Sequence, residues 1–173
     1  MAQIHCTPEG CQLCATSSIC FKPTVIPSTY TSLLYHVIFS TKGREPIIAA
    51  AWRGQLHEYL GGTVRGLGGV SLGVGGVTDH VHLLVSLKAT QCLADFMREL
   101  KKASSIWVSD STLVRGFRWQ EGYAALTVSA SGREDVQQYI ARQEEHHRRR
   151  TFKEELIEIL TKSGVIFDEK YLD

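Results

Sequence analysis

His80 and His82 are separated by one residue in VTDHVHLLVSL (77–87), an apolar run that reads as a strand. The two-residue period of a strand puts both imidazoles on one face, about 6 to 7 Å apart, so each can offer a ring nitrogen to one divalent ion. Tyr139 and Gln143 lie four apart in a segment of helical character that begins near Arg133. Helical spacing places them on one face, with side-chain origins about 5 to 6 Å apart. A glutamine carbonyl oxygen suits a hard cation such as Mg²⁺ or Mn²⁺. With two imidazoles it makes a three-ligand site that leaves positions for phosphate oxygens. The ion would polarise a phosphate while the tyrosine oxygen attacks it and becomes covalently attached. Each pair also has a plain structural reading: two half-buried histidines, and a tyrosine and glutamine that pack or face solvent.

Five other tyrosines compete for the nucleophile's role. Tyr30 and Tyr35 sit at or before the first expected strand, Tyr59 fits an apolar helix stripe, and Tyr171 lies in the C-terminal tail, where little would position it. Tyr123, after Gly122 in a turn, is the runner-up. Tyr139 has polar neighbours in Gln137, Gln138, Arg142 and Gln143, with Val136 and Ile140 to anchor its helix. The densest positive segment follows: Arg142, His146, His147, Arg148, Arg149 and Arg150, diluted by Glu144 and Glu145. It reads equally well as a hold on a DNA backbone and as a solvated helix end matched to its dipole. His146 and His147 are adjacent, roughly 100° apart around a helix, and do not easily share an ion.

The elements that must position these residues follow from periodicity and punctuation. Residues 33–40 (LLYHVIFS) form a β-rich strand ended by the turn signal Thr41-Lys42-Gly43. Pro46 suits the first turn of a helix whose apolar positions Ile47, Ile48, Ala51, Trp52, Leu56 and Tyr59 recur until Gly61-Gly62 stops it. From Gly66 to Gly76 glycines alternate with Val and Leu, the mark of a bulged or closely approached strand. The histidine strand alternates and then becomes continuously apolar, as a central strand does. Leu93, Phe96, Met97, Leu100, Ala103 and Trp107 mark a second amphipathic helix, with Arg98, Lys101 and Lys102 on its polar face.

Residues 117–119 and 124–129 read as two short strands around a turn at Gly122. Ser129 or Ser131 then caps the tyrosine helix, which carries Glu134 and Asp135 in its first turn and runs to Arg148-Arg149-Arg150. Thr151 with Glu154 is a capping-box signature that starts a separate last helix, with Phe152, Leu156, Ile159 and Leu160 as its apolar positions. The order predicts an α+β sandwich with a mainly antiparallel sheet and helices packed on it, similar to a ferredoxin-like fold.

A chain of 173 residues with 43% hydrophobic content can bury one sizeable core and is short for two full domains. Nineteen Lys plus Arg against eighteen Asp plus Glu leave a net charge of +1, so any DNA binding must come from local patches. The candidate DNA contacts are Arg98, Lys101, Lys102, Arg142, Arg148 and Arg149. No apolar run approaches the ~20 residues of a membrane span, and the N-terminus lacks signal-peptide features, which makes a cytoplasmic protein without a membrane partner the expectation. Five cysteines, an odd number, do not suggest a disulfide framework, and Cys6, Cys11, Cys14 and Cys20 fall in the first twenty residues. With His5 they could ligate zinc, although no second close pair follows Cys11 and Cys14. The plainer reading is a disordered leader over residues 1–28, ahead of a catalytic domain at 29–173.

Four segments occur in order: YHVIFSTKGREPII (35–48), DHVHLLVSL (79–87), FRWQEGY (117–123) and YIARQEEHHRRRTFKEEL (139–156). Together they resemble the HUH single-tyrosine transposases, the family that includes insertion-sequence transposases and REP-associated tyrosine transposases. The resemblance covers residues 29–173 and leaves out the leader. It implies a metal-dependent tyrosine transposase in which His80, His82 and Gln143 bind Mg²⁺ or Mn²⁺ and Tyr139 is the nucleophile. Such enzymes bind hairpins in single-stranded DNA, cleave to leave a 5′-phosphotyrosine bond and a free 3′-hydroxyl, and rejoin strands by reversing the step. It also implies a homodimer in which the sheets join, with the tyrosine helix of one subunit able to complete the other's site. Two alternatives stay open: a catalytically retired module that binds hairpin DNA without cutting, and a rolling-circle replication initiator-like nuclease, whose motif order is the same. Conjugative relaxases usually place the tyrosine before the histidines. A metal-dependent hydrolase using water would keep its activity without Tyr139.

Overall fold

The computed structural model describes residues 30–112, 114–148 and 150–172. The cysteine leader, with its zinc reading, and Arg149 lie outside the described residues. Four strands, β1 (Leu34–Ser40), β2 (Val70–Gly76), β3 (His80–Ser86) and β4 (Ala124–Val128), form one sheet in the order β2-β3-β1-β4. Every neighbouring pair is antiparallel. Helix α1 (Ala50–Gly66) links β1 to β2, and α2 (Leu93–Ser111) links β3 to β4. This is the ferredoxin-like βαββαβ path expected from the sequence. It continues into α3 (Arg133–Ala141), a single turn α4 (Gln143–His146) and α5 (Phe152–Lys162).

Strand alternation divides the molecule into two layers of packing. Val37 and Phe39 of β1 and Val81, Leu83 and Val85 of β3 share a core with Leu56, Leu60 and Val64 of α1 and Phe96, Met97, Leu100 and Val108 of α2. The intervening residues point to the opposite face. There Ile38 packs with Phe152, Leu156 and Leu160 of α5, and His36, His80 and His82 are buried alongside. Both faces of β1 and β3 are thus covered, which is why their sequences run continuously apolar instead of alternating with charge.

Several boundaries differ from the sequence reading, each for a tertiary reason. Pro46 precedes α1 by several residues, and the helix begins at Ala50 and continues through Gly61-Gly62. Gly61 is buried, and a Cβ there would stand 3.3 Å from the Ser71 hydroxyl of β2; the glycine serves close helix–strand packing and does not end the helix. Residues 117–119 do not form a full strand. Trp119 makes an isolated bridge to Thr41, its indole nitrogen donates to Ser104 Oγ at 2.9 Å, and its ring meets Phe39 edge-on.

The glycine-rich β2 is both bulged, between Ser71 and Gly73, and closely approached. A Cβ on Gly75 would lie 2.2 Å from the backbone oxygen of Ile140, so the end of α3 rests directly on the strand. Gln137 of α3 fastens the same contact by donating to the Leu72 carbonyl at 2.7 Å.

Candidate active site

The tyrosine helix expected to run unbroken to residue 150 ends at Ala141. Arg142 leaves helical geometry at φ −102° and ψ 17°, and Gln143 opens the next turn. Tyr139 and Gln143 therefore do not share a helix face as their spacing alone implied. They converge nonetheless, because both bond Glu155 of α5: the Tyr139 hydroxyl donates to Glu155 Oε1, and Gln143 Nε2 donates to the same oxygen at 2.9 Å. Glu155 stands where it does because α5 starts at a complete capping box, Thr151 with Glu154, and because the helix buries Phe152, Leu156 and Leu160 against the sheet.

His80 and His82 are fully buried, and their Nε2 atoms lie 3.6 and 3.7 Å from Glu155 Oε2. These distances are too long for hydrogen bonds. Both Nε2 atoms and Glu155 Oε2 are buried without a hydrogen-bond partner. The far side of each ring is held. His80 Nδ1 lies 2.7 Å from Asp79 Oδ1, and His82 Nδ1 lies 3.0 Å from His36 Nε2. A neutral His80 must place its hydrogen on Nδ1, toward Asp79, and so turns a lone pair into the site.

His147 enters from the turn after α4, with Nε2 3.1 Å from Gln143 Oε1 and 2.8 Å from Glu155 Oε2, the second an ion-pair contact without hydrogen-bond alignment. The adjacency argument against a shared role for His146 and His147 holds for the pair, since the His146 ring packs on Tyr139 at 4.9 Å. It does not hold for His147 alone, whose ring lies 4.5 Å from that of His80. One ligand atom each from His80, His82, His147 and Glu155 falls within 4.8 Å of all the others.

Burial dominates the electrostatics. It pushes His82 down to about 4 and, with His82 beside it, His36 down to about 3, so both rings are neutral at ordinary pH. Burial also works against the ionised Glu155, but His147, His82 and Tyr139 around it prevail and hold the carboxyl well below the usual carboxylate range. The same carboxylate adds to burial in holding the Tyr139 phenol protonated, far above its ordinary value. For His147, Glu155 outweighs burial and raises the imidazole. A cavity of about 270 Å³ opens the site beside Tyr139, lined by His146, His147, Arg150, Glu155 and Lys162 among others. A half-buried phenol, cations at the rim and an anionic centre with unsatisfied nitrogens suit a phosphate diester that enters together with a divalent ion.

Of the expected DNA contacts, Lys102, Arg142 and Arg148 are exposed. Arg98 pairs with Asp95 at 2.6 Å and Glu99 at 3.2 Å. Lys101 holds the following loop by donating to the backbone carbonyls of Gln120, Glu121 and Gly122, and its burial lowers it to about 8. Tyr123 lies at a different groove, with Arg98, Lys102 and Trp119, away from the histidines.

A ferredoxin-like sheet that brings a histidine pair and a tyrosine to one face matches a known class of protein. The family model for IS200-like transposases matches residues 29–143, and the chain belongs to that family. Over 117 residues it is 32% identical to the ISDra2 transposase TnpA of Deinococcus radiodurans, a match covering 64% of this chain and 84% of that protein. The crystal structure of a transposase-like protein from Deinococcus radiodurans R1 superposes with a TM-score of 0.55 at 28% identity, over 68% of this chain and 95% of that one. A REP-associated tyrosine transposase solved with a REP hairpin shares the fold, with a TM-score of 0.52 at 13% identity over 70% and 73% of the two chains. The chain is thus a transposase of the IS200-like family.

Three residues of the site were not singled out in the sequence, His36, Asp79 and Glu155, and His147 entered there only as a ligand set aside for its adjacency to His146. Two left signals. Glu155 occupies the apolar stripe 152/155/156/159/160 of α5, where a carboxylate is out of place. His36 interrupts the apolar strand LYHVIFS on the same side of the pleat as Ile38.

Proposed function

We propose that this transposase cuts and rejoins single-stranded DNA at hairpin-flanked sites through a covalent bond between Tyr139 and a 5′-phosphate. The convergence of the Tyr139 hydroxyl with two buried, unpartnered histidine nitrogens on one carboxylate carries the reading. His80, His82 and Gln143 would hold Mg²⁺ or Mn²⁺, and those orphaned nitrogens fit such an ion. When bound, the ion supplies charge stabilisation to the phosphate oxygens.

The rest is done by the chain. Tyr139, held by Glu155 and by the seat of α3 on β2, presents its oxygen at the cavity mouth. In the forward step a tyrosine oxygen–phosphorus bond forms and the bond from phosphorus to the 3′-oxygen breaks. The phenolic proton passes to Glu155 Oε1, its existing acceptor; the departing 3′-oxygen takes a proton from solvent, and Glu155 returns its own to solvent, so the carboxylate is regenerated. Rejoining reverses each transfer: a 3′-hydroxyl attacks the phosphotyrosine, and Tyr139 recovers its proton. No external energy source is required, since one phosphoester replaces another.

The hairpin reading is supported by the solved relative that carries a REP hairpin. A homodimer in which the sheets join through an outer strand is part of the same proposal and is checked by sedimentation.

The test is to incubate the protein with hairpin oligonucleotides from its genomic flanks, with Mg²⁺, Mn²⁺ or EDTA, and to map any denaturant-resistant adduct by mass spectrometry. The expected result is a metal-dependent adduct on Tyr139 that Tyr139→Phe abolishes while hairpin binding is retained. Tight binding without cutting or adduct would establish the retired module instead. Cleavage that survives Tyr139→Phe would establish a hydrolase using water.

A further inference from the structure

Helix α5 and the turn before it lie beyond residues 29–143, where the family model matches, yet they deliver Glu155 and His147 to the histidine pair. Glu155 Oε2 faces His80 Nε2 at 3.6 Å and His82 Nε2 at 3.7 Å, with His147 Nε2 2.8 Å away, and all four atoms lie within 4.8 Å of one another. Donors to one ion with bonds of roughly 2.1 Å stand about 3.0 to 4.2 Å apart, so the set closes on a single ion with side-chain shifts on the order of half an ångström to one ångström.

Asp79 fixes the far side of His80, and His36 that of His82. With its hydrogen on Nδ1, toward Asp79, His80 aims a lone pair at the carboxylate oxygen, and His82 does the same when its Nδ1 donates to His36, a cluster of acceptors that a cation between them makes favourable. The set is buried: His80 and His82 are 0% exposed and Glu155 is 6% exposed.

The geometry points to Glu155 and His147 as protein ligands of the same ion, completing a site of three imidazoles and one carboxylate that favours Mn²⁺ and its transition-metal neighbours over Mg²⁺. Imidazole is a poor donor for Mg²⁺, which keeps oxygen ligands and most of its water, whereas Mn²⁺ and the metals beyond it accept mixed nitrogen and oxygen sets. Gln143 then acts by holding Glu155 through its amide nitrogen, while its carbonyl oxygen, 3.1 Å from His147 Nε2 in this structure, is freed for the ion once that nitrogen ligates it. The inference rests on the metal-centre reading above and adds the two ligands and the metal preference.

The experiment is a titration of the metal-free full chain with Mn²⁺ and with Mg²⁺, by calorimetry and by the electron paramagnetic resonance of free Mn²⁺. The variants are Glu155→Gln, His147→Ala and His80→Ala, with circular dichroism and thermal melting in EDTA to establish that each is folded. Glu155→Gln keeps the shape and an oxygen but loses the charge. The expected results are tighter binding of Mn²⁺ than of Mg²⁺ by the unaltered chain, a loss of Mn²⁺ affinity of about tenfold or more in Glu155→Gln and a measurable loss in His147→Ala. Wild-type Mn²⁺ affinity in folded Glu155→Gln, together with loss in His80→Ala, overturns the inference and leaves the histidine metal centre standing. Equal affinity for Mg²⁺ and Mn²⁺ overturns the preference. No binding of either metal by the unaltered chain overturns the metal centre itself.

Discussion

His36 shows how one buried ring can set the orientation of another in the candidate site. Its Nε2 lies 3.0 Å from His82 Nδ1, and both rings are buried on the face that carries the site. A partner on the far nitrogen fixes both the tautomer and the orientation of a ligating imidazole. His36→Ala should therefore weaken Mn²⁺ binding about 10–100-fold while leaving the fold intact, and His36→Gln, which can still bond His82, should recover part of the loss. Calorimetric titration of the metal-free variants checks this. Unchanged affinity in His36→Ala would show that packing alone orients His82. Asp79 plays the corresponding part for His80, with the stronger hold of a carboxylate: burial opposes its ionisation, but the His80 contact keeps it below the ordinary carboxylate range.

Among the elements, β2 and α3 depend on each other. The odd residues Gly73 and Gly75 face α3, and the absence of side chains lets Gln137 and the Ile140 carbonyl come down onto the strand. Arg53 of α1 adds a second tie through its 2.5 Å ion pair with Glu144 of α4. A methyl group at Gly75 cannot be accommodated by a side-chain rotation, because the atom it meets is backbone. Gly75→Ala should shift α3, cost about 1 to 3 kcal/mol as overpacking does, and lower the yield of the Tyr139 adduct through misplacement of the phenol. Urea unfolding and adduct formation measure the two effects separately. Full adduct yield at wild-type stability would mean that α3 is positioned by other contacts.

For the molecule as a whole, a net charge of +1 gives no long-range field, and DNA must be held by local surfaces. A groove of about 770 Å³ between α2 and the 118–123 loop gathers Lys42, Lys102 and Arg118, none of which makes a salt bridge among the described residues. Trp119 and Tyr123 line it too, the second with an exposed ring on which a base can stack. Each phosphate contact to a single strand contributes about 0.7 to the slope of log affinity against log salt. The double variant Lys102→Ala, Arg118→Ala should thus weaken hairpin binding and flatten that slope by about 1.4, as measured by fluorescence anisotropy across a salt series. An unchanged slope would place the DNA elsewhere, with the exposed Arg142 and Arg148 as the next candidates. Among the described residues no helix is long and apolar enough to cross a membrane, in line with the hydropathy of the chain.

The sequence by itself determined the features that depend on neighbours along the chain. The period-two run placed His80 and His82 on one face of a strand, the capping box of Thr151 and Glu154 started α5, and the succession of patterns led to the ferredoxin-like order. The tertiary structure alone decided what depends on approach across space. It broke the tyrosine helix at Arg142, carried α1 through Gly61-Gly62 and gave Lys101 to a loop instead of leaving it on the open face of α2. It also brought His36, His147 and Glu155 from three different segments to one point. Local periodicity reports which way a side chain leaves its own backbone. Which partners it meets there is fixed by how the sheet and α5 pack, through contacts between residues far apart in the chain, and those leave no regular spacing to read.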